Sequence, residues 1–318
     1  MASSTTTVSG GTRSALRHWW QGGEPADGEI VVDDRIDWLR LAPFIALHLS
    51  IVAIFWVGVS PIAVAIAASA YFARMFFITA FYHRYFSHRT FRTSRAFQFV
   101  MAFLGCTAGQ RGPIWWAAQH RHHHQHSDEE PDSHSPVQHS LIWSHMLWFM
   151  TRSGFQTPVK YVKDWWQLPE LRLLERLNWV PTVLLAGSMY ATGAILARVW
   201  PESGTTGWQV FMWGYVVSTL FLYHATYTIN SLAHKFGRRR FDTKDESRNN
   251  LWLALLTLGE GWHNNHHHYP TSVRQGFYWW EVDISYYLLV ALSWTGLISG
   301  LRPVPQGVLD RGRSGGEA

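Results

Sequence analysis

The segment His120-Arg121-His122-His123-His124 lies between Trp115-Trp116 and the acidic run Asp128-Glu129-Glu130. Its histidines at 120, 123 and 124 are spaced i, i+3 and i+4, so a helix places all three imidazoles on one face, one turn apart. The same spacing returns at 263, 266 and 267, in the segment Gly259-Glu260-Gly261-Trp262-His263-Asn264-Asn265-His266-His267. Because histidines grouped in this way are a metal-ligand geometry, the two triads together indicate a metal site.

The ligands of such a site have to be imidazoles. The only cysteine is Cys106, which excludes an internal disulfide and a thiolate-ligated centre such as an iron–sulfur cluster.

The composition favours a membrane protein. Of the 318 residues, 47% are hydrophobic, only 15% are charged and 19 are tryptophan. The mean hydropathy is nevertheless close to zero, so apolar spans must alternate with a large polar part. The net charge of +5 is scattered among Trp-rich apolar segments, which favours a basic surface facing a membrane or a protein partner and argues against nucleic acid.

Four apolar stretches are long enough to cross a bilayer as helices. They are 39–59, 62–81, 178–199 and 207–229. Ser60-Pro61 separates the first two and predicts a helical hairpin, although a buried core helix is the alternative interpretation of either stretch. Residues 97–109 and 286–301 are shorter, and we expect helices beside the membrane or on its cytoplasmic face.

Basic residues predict the orientation. The link 200–206 contains no Lys or Arg, whereas both flanks of the hairpin and the segment after the fourth stretch are rich in them. Under the positive-inside rule, both termini and every His-rich segment lie on the cytoplasmic side. The prediction is an all-α membrane protein with four transmembrane helices and a cytoplasmic helical cap that includes 144–176. Residues 1–36 and 302–318 are predicted polar tails around one domain, 37–301.

Further candidate ligands follow two of the spans. His83 and His88 stand where the second span emerges, and Asn230 and His234 stand where the fourth emerges. With the triads, they make nine imidazoles and one amide that can converge outside one membrane face. The other histidines, interpreted as interfacial, hydrogen-bonded or solvated, are His18, His48, His122, His126, His134, His139, His145, His224 and His268.

These residues resemble the histidine boxes of membrane fatty acyl desaturases of the stearoyl-CoA (Δ9) type. The resemblance rests on H-x4-H at 83 and 88, H-x2-HH at 120 to 124, N-x3-H at 230 and 234, and H-x2-HH at 263 to 267. It extends from the first span to about Pro270. In that family, nine histidines and a water-linked asparagine hold two iron ions. The resemblance therefore implies these ligands, with no other catalytic residue: His83, His88, His120, His123, His124, His234, His263, His266 and His267, with Asn230 acting through water.

The chemistry of desaturation is consistent with this ligand set. Removing hydrogen from an unactivated methylene needs an oxidant that redox-active metal ions generate from O2 and that side chains cannot supply. Iron accepts neutral imidazole, whereas zinc, which also accepts it, has no redox chemistry. Each ligating imidazole also needs an acceptor for its second N–H. Nearby candidates are Asp128, Glu129, Asp242, Asp245 and Glu260.

The electrons must come from another protein. The sequence has no dinucleotide or flavin glycine fingerprint, no cysteine cluster and no apparent haem module. We expect a carrier of the ferredoxin, rubredoxin or cytochrome b5 type, steered by the basic face if the carrier is acidic.

The substrate class stays open at this point. Animal acyl-CoA desaturases have Arg-Asp, associated with the CoA head group, where this chain has Ala118-Gln119. The substrate is therefore either an acyl-CoA or a phospholipid-linked chain, and the Δ9 position follows from the resemblance only. The candidate residues of the substrate channel are Phe81, Tyr82, Trp115, Trp116 and Trp262.

Two other functions remain as alternatives. A membrane di-iron fatty acyl hydroxylase uses nearly the same ligands. A divalent-metal transporter also combines spans with histidines, but it places ionisable ligands at mid-membrane on facing spans, whereas these histidines lie almost entirely beyond the span ends.

Overall fold

The computed structural model describes residues 25–26 and 32–314 and is mainly helical. Helices α1 to α11 are, in chain order, Trp38–Val57, Pro61–Ser87, Arg95–Cys106, Pro113–His126, Pro169–Arg176, Trp179–Val199, 207–231, Leu251–Leu256, His263–His268, Ile284–Trp294 and Gln306–Ser314. Four two-residue strands, β1 to β4, are Pro25–Ala26, Arg92–Thr93, Thr157–Pro158 and Ile298–Ser299. β1 pairs in parallel with β3, and β2 pairs antiparallel with β4.

Three of the described helices are long and apolar enough to cross a membrane: α1, α2 and α6. They agree with the first three predicted spans, and their length and composition are compatible with a membrane protein. The fourth predicted stretch is also helical, over Gly207–Val210, Phe211–Val217 and Ser218–Ser231. It is less apolar because of residues such as Ser218, Thr219 and His224, so its role as a fourth span stays a prediction.

Local chemistry explains the turn between α1 and α2. Gly58 adopts φ +72°, a backbone conformation that favours glycine. Ser60 then caps α2 by accepting a hydrogen bond from the backbone N–H of Ala63, and Pro61 occupies the first helical position. The Ser60 hydroxyl also lies 2.9 Å from that of Thr205, which joins this turn to the one that precedes α7.

Buried polar contacts connect α2 to α7. Arg74 is almost fully buried, and its guanidinium donates to Thr219 Oγ1 at 2.7 Å and Ser218 Oγ at 2.5 Å. Two of the residues that make α7 less apolar, Ser218 and Thr219, therefore hold a buried arginine, whose charge is costly to bury without partners.

The second helix extends further than hydropathy predicts and changes its winding. It continues past 81 as the π-helical segment Phe77–Ser87, which carries His83 at its centre and leads directly into His88. Such wide turns are rare and are found mostly at functional sites. Nearly all of this segment is buried, so α2 delivers the first histidines into the protein interior.

The polar part of the chain surrounds these helix ends. The predicted cap region contains short helical turns, Trp143–Leu147, Trp148–Met150, Val159–Tyr161 and Lys163–Trp166, followed by α5. Helix α10 has 11 residues and is about 16 Å long, too short for a hydrocarbon core of about 30 Å. The predicted C-terminal tail contains α11, whose Val308 packs against Phe241, Phe277 and Tyr278.

Candidate metal centre

The nine histidines singled out from the sequence gather into two adjacent groups in the structure. The five-histidine group is His83, His88, His120, His124 and His266. The four-histidine group is His123, His234, His263 and His267. Within each group, one ring nitrogen of every residue lies within 4.8 Å of the others, a spacing that can hold a metal ion.

Helices α4 and α9 each supply histidines to both groups. In α4, His120 and His124 point to the five-histidine group and His123 points to the other. In α9 the division is reversed, since His263 and His267 belong to the four-histidine group and His266 to the five-histidine group. The three histidines of each triad therefore lie on one helix face. The residues at i and i+4 belong to one group, and the residue at i+3 belongs to the other.

The ring nitrogens are spaced as ligands of a common ion. The Nε2 atoms of His83 and His266 are 3.0 Å apart, and those of His124 and His266 are 2.9 Å apart. In the other group, the Nε2 atoms of His234 and His263 are 3.1 Å apart. Two ligands bound to one ion at about 2.1 Å and at right angles are separated by about 3 Å.

One buried atom supports the same interpretation. His267 donates through Nδ1 to Asp245 at 2.7 Å, which leaves an acceptor lone pair on Nε2. That Nε2 is buried and has no hydrogen-bond partner in the described part of the chain, although it faces other imidazoles. A metal ion satisfies such an atom, and the all-imidazole donor set fits iron.

Carboxylates orient several of these rings from behind. The Nδ1 atoms of His123, His234 and His267 lie 2.8, 2.9 and 2.7 Å from carboxylate oxygens of Asp132, Asp128 and Asp245. His83 Nδ1 contacts Glu260 in the same way. A carboxylate at Nδ1 fixes the tautomer and directs the Nε2 lone pair toward the centre.

Three of the five predicted acceptors thus contact a histidine of the two groups, namely Asp128, Asp245 and Glu260. Glu129 instead lies 3.4 Å from Lys244, and Asp242 is exposed beside Arg239. The sequence interpretation missed Asp132 and also Gln275, whose amide nitrogen is 3.2 Å from His83 Nδ1. The acidic run 128–132 is the only sequence signal for Asp132, and we find none for Gln275.

Burial keeps most of the rings neutral. Desolvation, reinforced by neighbouring imidazoles, holds the pKa of His88, His120, His124, His263 and His266 well below the usual value. Burial also lowers the pKa of His267, to about 4, although Asp245 opposes the shift. Burial acts against ionisation of Asp128, yet its contacts with His234 and Ser135 lower its pKa to about 2. Neutral imidazole is the form that binds metal, so the site is prepared for ligation at neutral pH.

Two cavities meet at the histidines. A small one of about 50 Å³ is lined by His83, His120, His123, His263 and Asn230, together with Met75, Ile78 and Thr79 of α2. A larger one of about 580 Å³ reaches His120 and Asn230 from between α1, α6 and α7. Asn230 lies in both linings, together with histidines of the two groups.

The predicted channel residues divide between the cavity and other locations. Trp115 and Trp116 line the larger cavity, and Trp116 also lines the smaller one. Phe81, Tyr82 and Trp262 are in neither lining. The Tyr82 hydroxyl lies 3.1 Å from Cys106 Sγ, and the Trp262 indole donates to the carbonyl of Val282 at 2.8 Å. Phe81 packs among Phe76, Phe77 and Phe97.

Histidines outside the two groups have other contacts. His122 packs against His126 and Tyr161, and His268 stacks on Phe241 with ring centroids 4.0 Å apart. His224 Nδ1 lies 3.0 Å from His145 Nε2. His134 was not singled out from the sequence, yet it stacks on His123 and forms a third close group with His123 and Asp132.

Comparison with known proteins gives one consistent result. The family model described as fatty acid desaturase matches residues 37–295. The chain is 34% identical over 214 residues to an sn-1 stearoyl-lipid 9-desaturase of Anabaena variabilis, covering 67% of this chain and 74% of that protein. It is 33% identical over 225 residues to an acyl-CoA 5-desaturase of Anemone leveillei, and the match covers 70% of this chain and 65% of that protein. A palmitoyl-monogalactosyldiacylglycerol delta-7 desaturase of Arabidopsis thaliana is 34% identical over 215 residues, and the match covers 67% of this chain and 54% of that protein.

Proposed function

Because the chain belongs to the fatty acid desaturase family and is an oxidoreductase of fatty acyl chains, we propose that it inserts a double bond into a saturated acyl chain with O2. The observation that carries this proposal is the division of nine buried and partly buried histidines into two adjacent groups of ring nitrogens. Each group is suited to one iron ion. Iron bound there supplies the O2-dependent oxidising chemistry that no side chain provides.

We assign five protein donors to each ion. His83, His88, His120, His124 and His266 hold one ion, and His123, His234, His263 and His267 hold the other, with Asn230 joining the second through water. The support for Asn230 is its position in the wall of the small cavity between the two groups. The carboxylates at Nδ1 keep the protons on the outer ring nitrogens, so that the Nε2 lone pairs face the ions.

The larger cavity is the proposed acyl site. Its wall combines aromatic side chains such as Trp115, Trp116 and Tyr223 with a polar end at His120 and Asn230. Its volume of about 580 Å³ is within the range of ligand pockets, about 300 to 1,000 Å³. An apolar chain in this cavity excludes water from the methylene groups that lie beside the histidines.

We propose Δ9 regiochemistry and leave the carrier of the acyl chain as acyl-CoA or acyl-lipid. Relatives such as the Anabaena variabilis protein are named 9-desaturases of lipid-linked chains, which supports the position. Relatives named for the 5 and 7 positions show that the family scaffold is used for others as well.

The proposed setting is a membrane with the histidine groups, the cap and both termini on the cytoplasmic side. Four spans are α1, α2, α6 and α7, and α7 supports this role because its 207–231 helical run is about 37 Å long. We propose a single domain over 37–301, and the family match at 37–295 supports it. The reductant is a ferredoxin, rubredoxin or cytochrome b5 type of carrier, which binds the basic cytoplasmic face transiently.

The fatty-acid profile of host membranes tests the proposal. We expect gas chromatography–mass spectrometry to detect a new monoene in cells expressing the chain, with dimethyl disulfide adducts locating the double bond. His120→Ala should abolish the product, whereas His139→Ala, a change at an exposed histidine outside both groups, should leave it intact.

Other outcomes identify the alternatives. Hydroxy acids in place of the monoene would favour the hydroxylase. Product formation unaffected by His120→Ala would contradict the ligand assignment. Metal uptake across the membrane without any new lipid would support the transporter, which the present geometry does not favour because the histidines gather at helix ends.

A further inference from the structure

Arg111 occupies a distinctive position in the wall of the larger cavity. It belongs to the loop before α4, whereas His120 stands two turns into that helix, about 10 Å along the axis from Pro113. Its backbone has φ +68°, a left-handed conformation that is unfavourable for a residue with a side chain and is concentrated at functional sites. The loop therefore holds one long basic side chain at a fixed place on the cavity wall.

The guanidinium of Arg111 is fixed by the segment 154–155. Its Nη1 and Nη2 both donate to the carbonyl oxygen of Phe155 at 3.2 Å, and Nη1 also donates to the carbonyl of Gly154 at 3.4 Å. The guanidinium carbon lies 4.5 Å from the ring centre of Trp115 and 4.7 Å from that of Phe155. These carbonyls and rings hold the group through dipoles and cation–π contacts, and none of them neutralises its charge.

One edge of this guanidinium remains available. The Phe155 carbonyl occupies the end between Nη1 and Nη2, whereas Nε donates to no residue in the described part of the chain. The edge formed by Nε–H and the second Nη2–H is the one that binds two oxygens of a phosphate or carboxylate side by side.

No described acidic side chain forms an ion pair with Arg111. Glu175 and Asp37 attract Arg111 electrostatically without a direct ion pair, and Glu175 Oε2 accepts the backbone N–H groups of Ile114 at 2.9 Å and Trp115 at 3.2 Å. Arg40 approaches the same Phe155 ring at 5.3 Å, and its charge is paired with that of Asp37. No described carboxylate contacts the Nε edge of Arg111, so an anionic ligand that reaches this edge gains charge-assisted hydrogen bonds.

Two side chains along the same wall have a polar atom that is buried from the cavity and lacks a partner among the described residues. They are Oε1 of Gln119 and the indole Nε1–H of Trp148, and both side chains line the cavity. Gln119 uses its amide nitrogen on the carbonyl of Gln156 at 2.8 Å, which leaves its oxygen as an acceptor. A ligand in the cavity therefore meets these two side chains through their other atoms.

We propose that Arg111 recognises a phosphate group carried by the acyl substrate and thereby sets where the acyl chain enters the cavity. This inference rests on the proposed function and adds a head-group subsite to it. The chain then extends from Arg111 past Trp115 and Trp116 to His120 and Asn230. The phosphate is that of a glycerophospholipid or that of CoA.

Binding measurements on the iron-loaded protein in detergent test this subsite without relying on turnover. The probes for isothermal titration calorimetry are stearoyl lysophosphatidic acid, stearoyl-CoA and, as the ligand without phosphate, 1-stearoylglycerol. Arg111→Gln should weaken binding of a phosphate-bearing probe about tenfold or more, because it removes hydrogen bonds to a charged group. Binding of 1-stearoylglycerol should not change. Arg198→Gln, the same change at an exposed arginine at the far end of α6, is the matched control.

The pattern of losses decides the outcome. A loss confined to lysophosphatidic acid supports a phospholipid substrate, and a loss confined to stearoyl-CoA supports a CoA thioester. Equal loss of all three ligands, or no loss of any, overturns the proposal. Arg111→Lys keeps the charge without the planar edge and should give an intermediate affinity, which provides a second test if Arg111→Gln proves unstable. Absence of a monoene in the lipid profile would refute the proposed reaction separately, since calorimetry does not depend on it.

Discussion

Asp132 is fully buried and contacts three separate parts of the site. One oxygen lies 2.8 Å from His123 Nδ1 and accepts the backbone N–H of Asp128 at 3.0 Å, while the other accepts the backbone N–H of His134 at 3.3 Å. Burial opposes ionisation of Asp132, but these neighbours, above all His123, lower its pKa far below the usual range. Asp132 is therefore an anion that fixes both a ring and a loop.

We expect Asp132→Asn to weaken metal binding about 10- to 100-fold, the usual effect of removing the hydrogen-bond partner behind a ligating histidine. The amide keeps the shape of the side chain but removes the charge that holds the Nδ1 proton of His123. Competition with a chromogenic chelator for Fe(II) measures the change. Asp242→Asn, at an exposed carboxylate, should leave the affinity unchanged, and equal affinities for the two variants would contradict the role assigned to Asp132.

The π-helical segment of α2 depends on a close contact with α3. A Cβ at Gly105 would lie 2.0 Å from the Tyr82 ring, and Tyr82 precedes His83. Gly105→Ala should therefore displace the ring and lower the free energy of unfolding by about 1 to 3 kcal/mol, the usual cost of overpacking. Thermal unfolding in detergent and bound iron both report it, and iron content should fall because the displaced segment carries His83.

Gly187→Ala provides the matched control, since Gly187 lies in helix α6 with nothing within 4 Å of a Cβ. There the change should be neutral or stabilising by up to about 1 kcal/mol, because alanine favours the helix. If Gly105→Ala behaved in the same way, the packing of Tyr82 would not be what maintains the π-helical turn.

Sequence patterns predicted the elements of this fold better than their ends. The apolar runs identified α1, α2 and α6, but α2 continues beyond 81 because Arg84 is buried in ion pairs with Glu260 and Asp283, partners that lie 176 and 199 residues away in the sequence. The i, i+3, i+4 spacing predicted which histidines converge, while the division of each triad between two groups depends on how α4 and α9 meet. Asp132 was missed because a left-handed turn at Asp128 returns the chain toward His123, and no periodic pattern indicates such a turn.

At the scale of the whole molecule, the buried imidazoles make the stability of the iron-free protein depend on pH. The folded state depresses the pKa of His88, His120, His124, His263 and His266 far below 6.5, the value expected when unfolded. Below pH 6.5 the unfolded chain therefore binds more protons than the folded one, and stability falls as the pH falls. Asp132 raises the pKa of His123 despite burial. This one histidine therefore stabilises the fold as the pH falls, against the effect of the other five.

Chelator-treated protein in detergent should accordingly unfold at a lower temperature at pH 5.5 than at pH 7.5. Once the pH is well below 6.5, each of these five histidines lowers the free energy of unfolding by up to about 1.4 kcal/mol for every further pH unit. Buried carboxylates such as Asp128, whose pKa is about 2 in the folded state, change protonation at lower pH and do not contribute to this difference.

His124→Leu removes one titrating ring and should reduce the shift in unfolding temperature, whereas His139→Ala, at the exposed histidine, should not. An unfolding temperature that is equal or higher at pH 5.5 would contradict the prediction. It would mean that the rings are protonated in the folded state and stabilise it through their pairing with Asp132, Asp128 and Asp245.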